Sequence, residues 1–119
     1  MLREKIEEVV SGEPVALFMK GTPNQVMCGN SERALRALRD VGAPVTAVDV
    51  LPDPRIRQEL SDLSGWPTIP QVFVHGELIG GADIVEELAA NGELQRKLAD
   101  ALGPEYWSAE DDRTVNVLS

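Results

Sequence analysis

Val15-Ala-Leu-Phe-Met19, then Lys20-Gly-Thr-Pro-Asn-Gln-Val-Met27, then Cys28-Gly-Asn-Ser31, is the stretch on which the fold turns. Five apolar residues without polar alternation read as a central strand buried on both faces. A polar loop with Gly21 and Pro23 leaves that strand, and the only cysteine follows. Beyond Ser31, Glu32-Arg-Ala-Leu-Arg-Ala-Leu-Arg39 has helical periodicity. The thiol therefore falls where a strand has ended and a helix begins. Unpaired N–H groups and the dipole of a helix start favour a thiolate there.

The flanking text completes the architecture. Before the strand, Leu2, Ile6, Val9 and Val10 recur at helical spacing ahead of Gly12, which predicts a short amphipathic helix over 2–11. After Cys28 a helix is expected over 31–41, with Leu35, Leu38 and Val41 on the buried stripe and Arg33, Arg36 and Arg39 away from it. Val45-Thr-Ala-Val-Asp-Val50 is rich in β-branched residues and reads as a second strand. Asp53 is positioned to cap a third helix with Pro54 at its first turn, and Ile56, Leu60 and Leu63 form its apolar stripe. Gln71–Val74 and Glu77–Ile79 flank His75-Gly76 as a tight hairpin. Two more helices follow, over 82–90 and 93–102, broken at Asn91-Gly92.

A strand–helix–strand unit implies a parallel pair, and the hairpin adds two antiparallel strands. The expected fold is α/β, a four-stranded mixed sheet flanked by helices. It occupies a single domain over 1–103. Residues 104–119 show no periodic pattern and are expected as a loosely ordered tail, with Tyr106 and Trp107 the residues suited to fold back on the body.

At 119 residues the chain holds one ordinary domain with a real core. Its 43% hydrophobic and 26% charged residues exclude a disordered or membrane-embedded class. A net charge of −9 opposes binding to phosphate backbones and anionic membranes, so neither nucleic acid nor membrane is expected as a partner. Part of that excess lies in Glu105 and Glu110-Asp111-Asp112. The N-terminus has no signal-peptide apolar run, and the expected location is cytoplasmic and reducing. One cysteine makes no internal disulfide and builds no metal site alone.

Three stretches carry chemistry. A lone cysteine is commonly an inert small hydrophobe. Cys28, however, lies among Gly29, Asn30 and Ser31, with Lys20 as a nearby cation, and reads better as a reactive, partly exposed thiolate. Ser31 stands where a second cysteine would make Cys-x-x-Cys, so no resolving thiol exists within the chain. Trp66-Pro-Thr-Ile-Pro70 is either a simple proline-rich loop or a cis-proline turn that presents the backbone of Ile69 to a peptide ligand. Gly80-Gly-Ala-Asp83 is either punctuation with a helix cap or a site whose helix-start N–H groups take a carboxylate while Asp83 takes an ammonium.

Taken together, Lys20-Gly-Thr, the insertion Pro23–Met27, Cys28-Gly-x-Ser31, Trp66-Pro-Thr-Ile-Pro70-Gln and Gly80-Gly-x-Asp83 resemble the monothiol glutaredoxins over about residues 3–102. The resemblance implies a thioredoxin-like fold, a cis Pro70 and a groove for glutathione. Lys20 and Arg57 would then meet the glycine carboxylate, the backbone of Ile69 the cysteine backbone, and Ala82 and Asp83 the γ-glutamyl end. The family pattern is Cys-Gly-Phe-Ser; Asn30 replaces the phenylalanine here, removing apolar area beside the thiol.

Three functions follow from that resemblance. The first is a carrier of a labile [2Fe–2S] cluster. Such a centre needs four ligands, so Cys28 would act as a metal ligand shared with a second subunit and two glutathiones in a homodimer. Iron–sulfur acceptors or BolA-like proteins are the implied partners. The second is a glutathione-dependent thiol–disulfide oxidoreductase acting through catalytic Cys28, with weak activity. The third is a cluster-free, glutathione-binding adaptor.

Overall fold

The computed structural model describes residues 1–108 and 112–119. Glu110 and Asp111 of the acidic run lie outside the described residues. The chain runs α1 (Leu2–Gly12), β1 (Val15–Met19), β2 (Gly21–Thr22), β3 (Gln25–Val26), α2 (Gly29–Asp40), β4 (Thr46–Asp49), α3 (Pro54–Ser64), β5 (Gln71–Val74), β6 (Glu77–Gly80), α4 (Ala82–Asn91) and α5 (Glu93–Leu102). A 3₁₀ turn (Tyr106–Ser108) and a last short strand, β7 (Arg113–Thr114), follow.

The main sheet has the order β6-β5-β1-β4-β7. At its centre, Leu17 of β1 lies opposite Ala47 of β4 in a parallel ladder and opposite Val72 of β5 in an antiparallel one. All five residues of β1 are buried, because helices cover both faces. The two-residue period of a strand divides its side chains between two cores. Val15, Leu17 and Met19 pack with Leu35, Leu38, Val85, Leu94 and Leu98 beneath α2, α4 and α5. Ala16 and Phe18 pack with Ile6, Val9, Ile56, Leu60 and Phe73 beneath α1 and α3. The hairpin turns through His75 and Gly76, at φ 49° and 82°, as a tight two-residue connection requires.

Local signals settle both ends of α3. Asp53 caps α3 by accepting the Arg55 amide at 2.9 Å, with Pro54 at the first helical position. Gly65 ends that helix in the left-handed region at φ 75°. Two features depart from the sequence reading. Helix α2 begins at Gly29, two residues earlier than its apolar stripe indicates, so that Cys28 is its N-cap. The polar insertion is folded as well: β2 and β3 pair, with Gly21 opposite Val26 and Thr22 opposite Gln25. Gly21 is needed there, since at φ 92° a Cβ would stand 2.8 Å from the Met27 nitrogen.

The sheet also has five strands where the sequence alone indicates four. Arg113 and Thr114 lie parallel to Thr46 and Ala47 on the outer edge of β4. Asp112 anchors this segment by accepting the Val45 amide and the Arg39 guanidinium, each at 3.1 Å. Arg113 pairs with Glu13, Tyr106 is buried in the first core, and Val117, 2% exposed, enters the second. Val117→Ala is expected to lower unfolding free energy by on the order of 2 kcal/mol, from lost burial plus an unfilled space. Urea unfolding measures it; a change within a few tenths would show that this packing contributes nothing.

Candidate functional site

β1 delivers the chain to the site, and three polar contacts fix its exit. The Lys20 amide donates to Ser31 Oγ at 3.0 Å, the Met27 amide donates to the Lys20 carbonyl at 3.0 Å, and the Gly21 amide donates to Asp49 Oδ1 at 2.9 Å. Ser31 is fully buried. Its hydroxyl therefore ties the first turn of α2 to the end of β1 and does not cap the helix. Cys28, held between these anchors, is partly exposed. Its thiol is held below its ordinary pKa, chiefly by the backbone N–H of Ser31. Burial opposes the shift, while the Asn30 amide, the Ser31 hydroxyl and the charge of Lys20 assist it.

Ser31→Ala removes the hydroxyl and keeps the backbone N–H that does most of this. The Cys28 pKa should rise while remaining depressed, and alkylation by iodoacetamide near neutral pH should slow several-fold. Folding should also weaken by about 1–3 kcal/mol, because the partly buried Lys20 amide loses its acceptor. An unchanged pH–rate profile would contradict the role given to the hydroxyl.

The loop between α3 and β5 is fixed by Gln71, buried at the start of β5. Its Nε2 donates to the Trp66 carbonyl at 2.9 Å and its Oε1 accepts from Ser64 Oγ at 2.8 Å, while the Trp66 amide donates to Ser64 Oγ at 3.0 Å. The Ile69–Pro70 peptide is cis. Gly81, the N-cap of α4, lets the helix start approach this loop; a Cβ there would stand 3.4 Å from the Pro70 carbonyl oxygen.

Two hollows flank the loop. One, of about 310 Å³, is lined by Asn30, Trp66, Ile69, Pro70, Ala82 and Asp83 among others. The other, of about 720 Å³, is lined by Lys20, Leu51, Arg57 and Pro67 among others. The residues singled out in the sequence thus fall into two groups: Ile69, Pro70, Ala82 and Asp83 in the first hollow, Lys20 and Arg57 in the second. Cys28 is bracketed by a residue from each, since Asn30 follows it by two positions and the charge of Lys20 acts on its sulfur. Arg57 Nη2 donates to the Pro67 carbonyl at 3.3 Å, which leaves most of its guanidinium to the second hollow. The first turn of α4 has no side-chain cap, so its N–H groups are open to an anion.

A family model for glutaredoxin matches residues 15–79. The chain belongs to the glutaredoxin family. Within it, the chain is 46% identical over 100 residues to an uncharacterised monothiol glutaredoxin, ycf64-like, of Synechocystis, covering 84% of this chain and 94% of that one. The reduced apo form of poplar GrxS14 superposes with a TM-score of 0.76 at 39% identity, over 85% of this chain and 93% of that one. A buckwheat glutaredoxin–glutathione complex superposes with a TM-score of 0.74 at 27% identity, over 85% and 90% of the two chains. The thioredoxin-like fold and the monothiol character expected from the sequence are those of its relatives.

One residue bonded to the lining of the first hollow carries no site signal in the sequence. Arg33 reads there as a solvated helix position; in the structure it crosses from α2 to α4. Its Nη2 donates to Asp83 Oδ1 at 2.6 Å and also pairs with Glu86. Its Nε lies 3.2 Å from both Glu86 oxygens, and its Nη1 donates to Asn30 Oδ1 at 3.0 Å. The hydrogen bonds to Glu86 and Asp83 raise the guanidinium pKa further, and Arg33 in turn holds the Glu86 carboxyl below its usual range. Arg33 and Asp83 are 50 positions apart, so no local spacing signals the contact.

Proposed function

We propose that this monothiol glutaredoxin binds glutathione across the two hollows and, through Cys28, shares a labile [2Fe–2S] cluster between two copies of the chain for transfer to acceptor proteins. The observation that carries the reading is the position of the sole thiol. Cys28 is a partly exposed N-cap with a lowered pKa, two positions before Asn30 of the hollow bordered by an open helix start and within electrostatic reach of Lys20 of the hollow lined by two cations. That distribution of charge suits a γ-glutamyl tripeptide with its glycine carboxylate on Lys20 and Arg57, its centre along Ile69 and its other end at Ala82 and Asp83. That a related buckwheat glutaredoxin forms a complex with glutathione supports glutathione as the ligand.

Among the described residues no three His, Cys, Asp or Glu converge as a metal site, so one chain offers a cluster a single thiolate. The donor set fits a shared cluster all the same: a thiolate is the soft ligand iron and sulfide favour, and it lies beside Met27, 61% exposed, where a second copy would approach. When bound, the cluster would serve as cargo, held by Cys28 of each copy and two glutathione thiolates. A homodimer is then required by ligand count. BolA-like proteins and iron–sulfur acceptors are the corresponding partners.

The lowered thiol pKa favours one further reading, thiol–disulfide exchange. Cys28 Sγ would attack the glutathionyl sulfur of a mixed disulfide, releasing the target as a thiolate. Free glutathione would then displace Cys28 and leave as the oxidised dimer. Anaerobic reconstitution with iron and sulfide separates the two readings. Visible absorbance that develops only with glutathione is expected; a colourless protein that turns over a glutathione mixed disulfide would favour exchange.

A further inference from the structure

The γ-glutamyl end of the groove carries more negative charge than a simple anion site tolerates. Asp83 and Glu86 both lie in the first turns of α4, beside the open N–H groups that would take a carboxylate. Asp83 is 89% exposed at its side chain, yet one of its oxygens is already engaged by Arg33. With Arg33 the cluster Arg33–Asp83–Glu86 sums to one negative charge; without it the sum is two. Asn30, which lines the hollow where the resembled pattern has phenylalanine, holds Nη1 of Arg33, so the guanidinium is tied to two residues of the hollow's lining, Asn30 and Asp83. The bonds described use Nε, both Nη2 hydrogens and one Nη1 hydrogen, leaving the other Nη1 hydrogen free to donate.

We propose that Arg33, oriented by Asn30, is the specificity-determining residue of this groove: it sets a preference for a γ-glutamyl thiol that keeps its α-carboxylate. The proposal rests on the glutathione reading above. Asp83, shared with Arg33, is then a weaker partner for the ligand's ammonium than a free aspartate, and the α-carboxylate becomes the group that is read. A guanidinium suits this task because a hydrogen bond between two charged groups discriminates more than one between neutral groups.

Calorimetric titration of the reduced chain with three compounds tests the assignment: glutathione, 4-aminobutanoyl-Cys-Gly, which lacks the α-carboxylate, and glutaryl-Cys-Gly, which lacks the ammonium. For the unaltered chain, loss of the carboxylate should weaken binding about tenfold, as expected for one charge-assisted hydrogen bond, and loss of the ammonium should matter less. Arg33→Gln should reverse that order, with the carboxylate penalty falling below about threefold as two uncompensated carboxylates repel it. Asn30→Ala should fall between the two, and Glu86→Gln should strengthen the carboxylate preference. These are ratios within one protein, so a general loss of stability does not mimic them. An Arg33→Gln ratio equal to that of the unaltered chain overturns the proposal while leaving glutathione binding intact. Failure of the unaltered chain to bind glutathione at all overturns the groove assignment along with it.

Discussion

Cys28→Ser is expected to give a protein that stays colourless and monomeric on anaerobic reconstitution, and that forms no mixed disulfide with glutathione. Serine preserves the size of the side chain and the start of α2. Its hydroxyl does not ionise near neutral pH, and its hard oxygen is a poor ligand for iron beside sulfide. The chain holds no other cysteine to take over. Lys20, Arg57, Ile69, Ala82 and Asp83 remain, so glutathione affinity should change by no more than about threefold, the range of a lost weak contact. Mass spectrometry after treatment with oxidised glutathione, together with a visible spectrum, checks both halves. Colour or an adduct in the serine variant would mean that another group does the chemistry.

Phe18→Ala should be the most damaging of the core substitutions. Phe18 is fully buried in the middle of β1, and its ring meets Phe73 edge to face at 5.8 Å and 83°. Loss of the ring removes apolar burial and leaves a space that helices on that face cannot close, at a cost of about 3–5 kcal/mol. Against a total of roughly 5–15 kcal/mol for a domain of this kind, that is a large share. The melting temperature should fall by on the order of 10–20 °C. Scanning calorimetry reads it directly, and a fall of only a few degrees would mean that the α1/α3 face is not packed as described. The effect reaches the site because β1 leads directly into Lys20, whose amide holds Ser31 in the first turn of α2.

What the sequence made legible was whatever rests on local pattern. The uninterrupted run Val15–Met19, the Asp53-Pro54 helix start and the His75-Gly76 turn each state their structure within a few residues. Ile69, Pro70, Ala82 and Asp83, singled out from motifs, line one hollow in the structure, and Lys20 and Arg57 line another. Features made by distant partners stayed hidden. β7 joins the sheet through backbone hydrogen bonds and one aspartate cap, neither of which imposes a hydrophobic period. Arg33 reads as a solvated charge because its partners on α4 come near only when α2 and α4 pack. The early start of α2 followed the same logic: Gly29 and Asn30 have no apolar side chain to mark them as helical, and the buried Ser31 contact to β1 decides it.

On the proposed reading, one thiolate depends on a second chain and on borrowed glutathione to complete its coordination. The most direct measurement is the composition of the reconstituted, anaerobically purified protein: chain number by sedimentation, with iron, sulfide and acid-released glutathione counted on the same sample. A dimer holding one [2Fe–2S] cluster and two glutathiones is expected, four thiolates in all. A colourless monomer, or a loaded protein without glutathione, would contradict it.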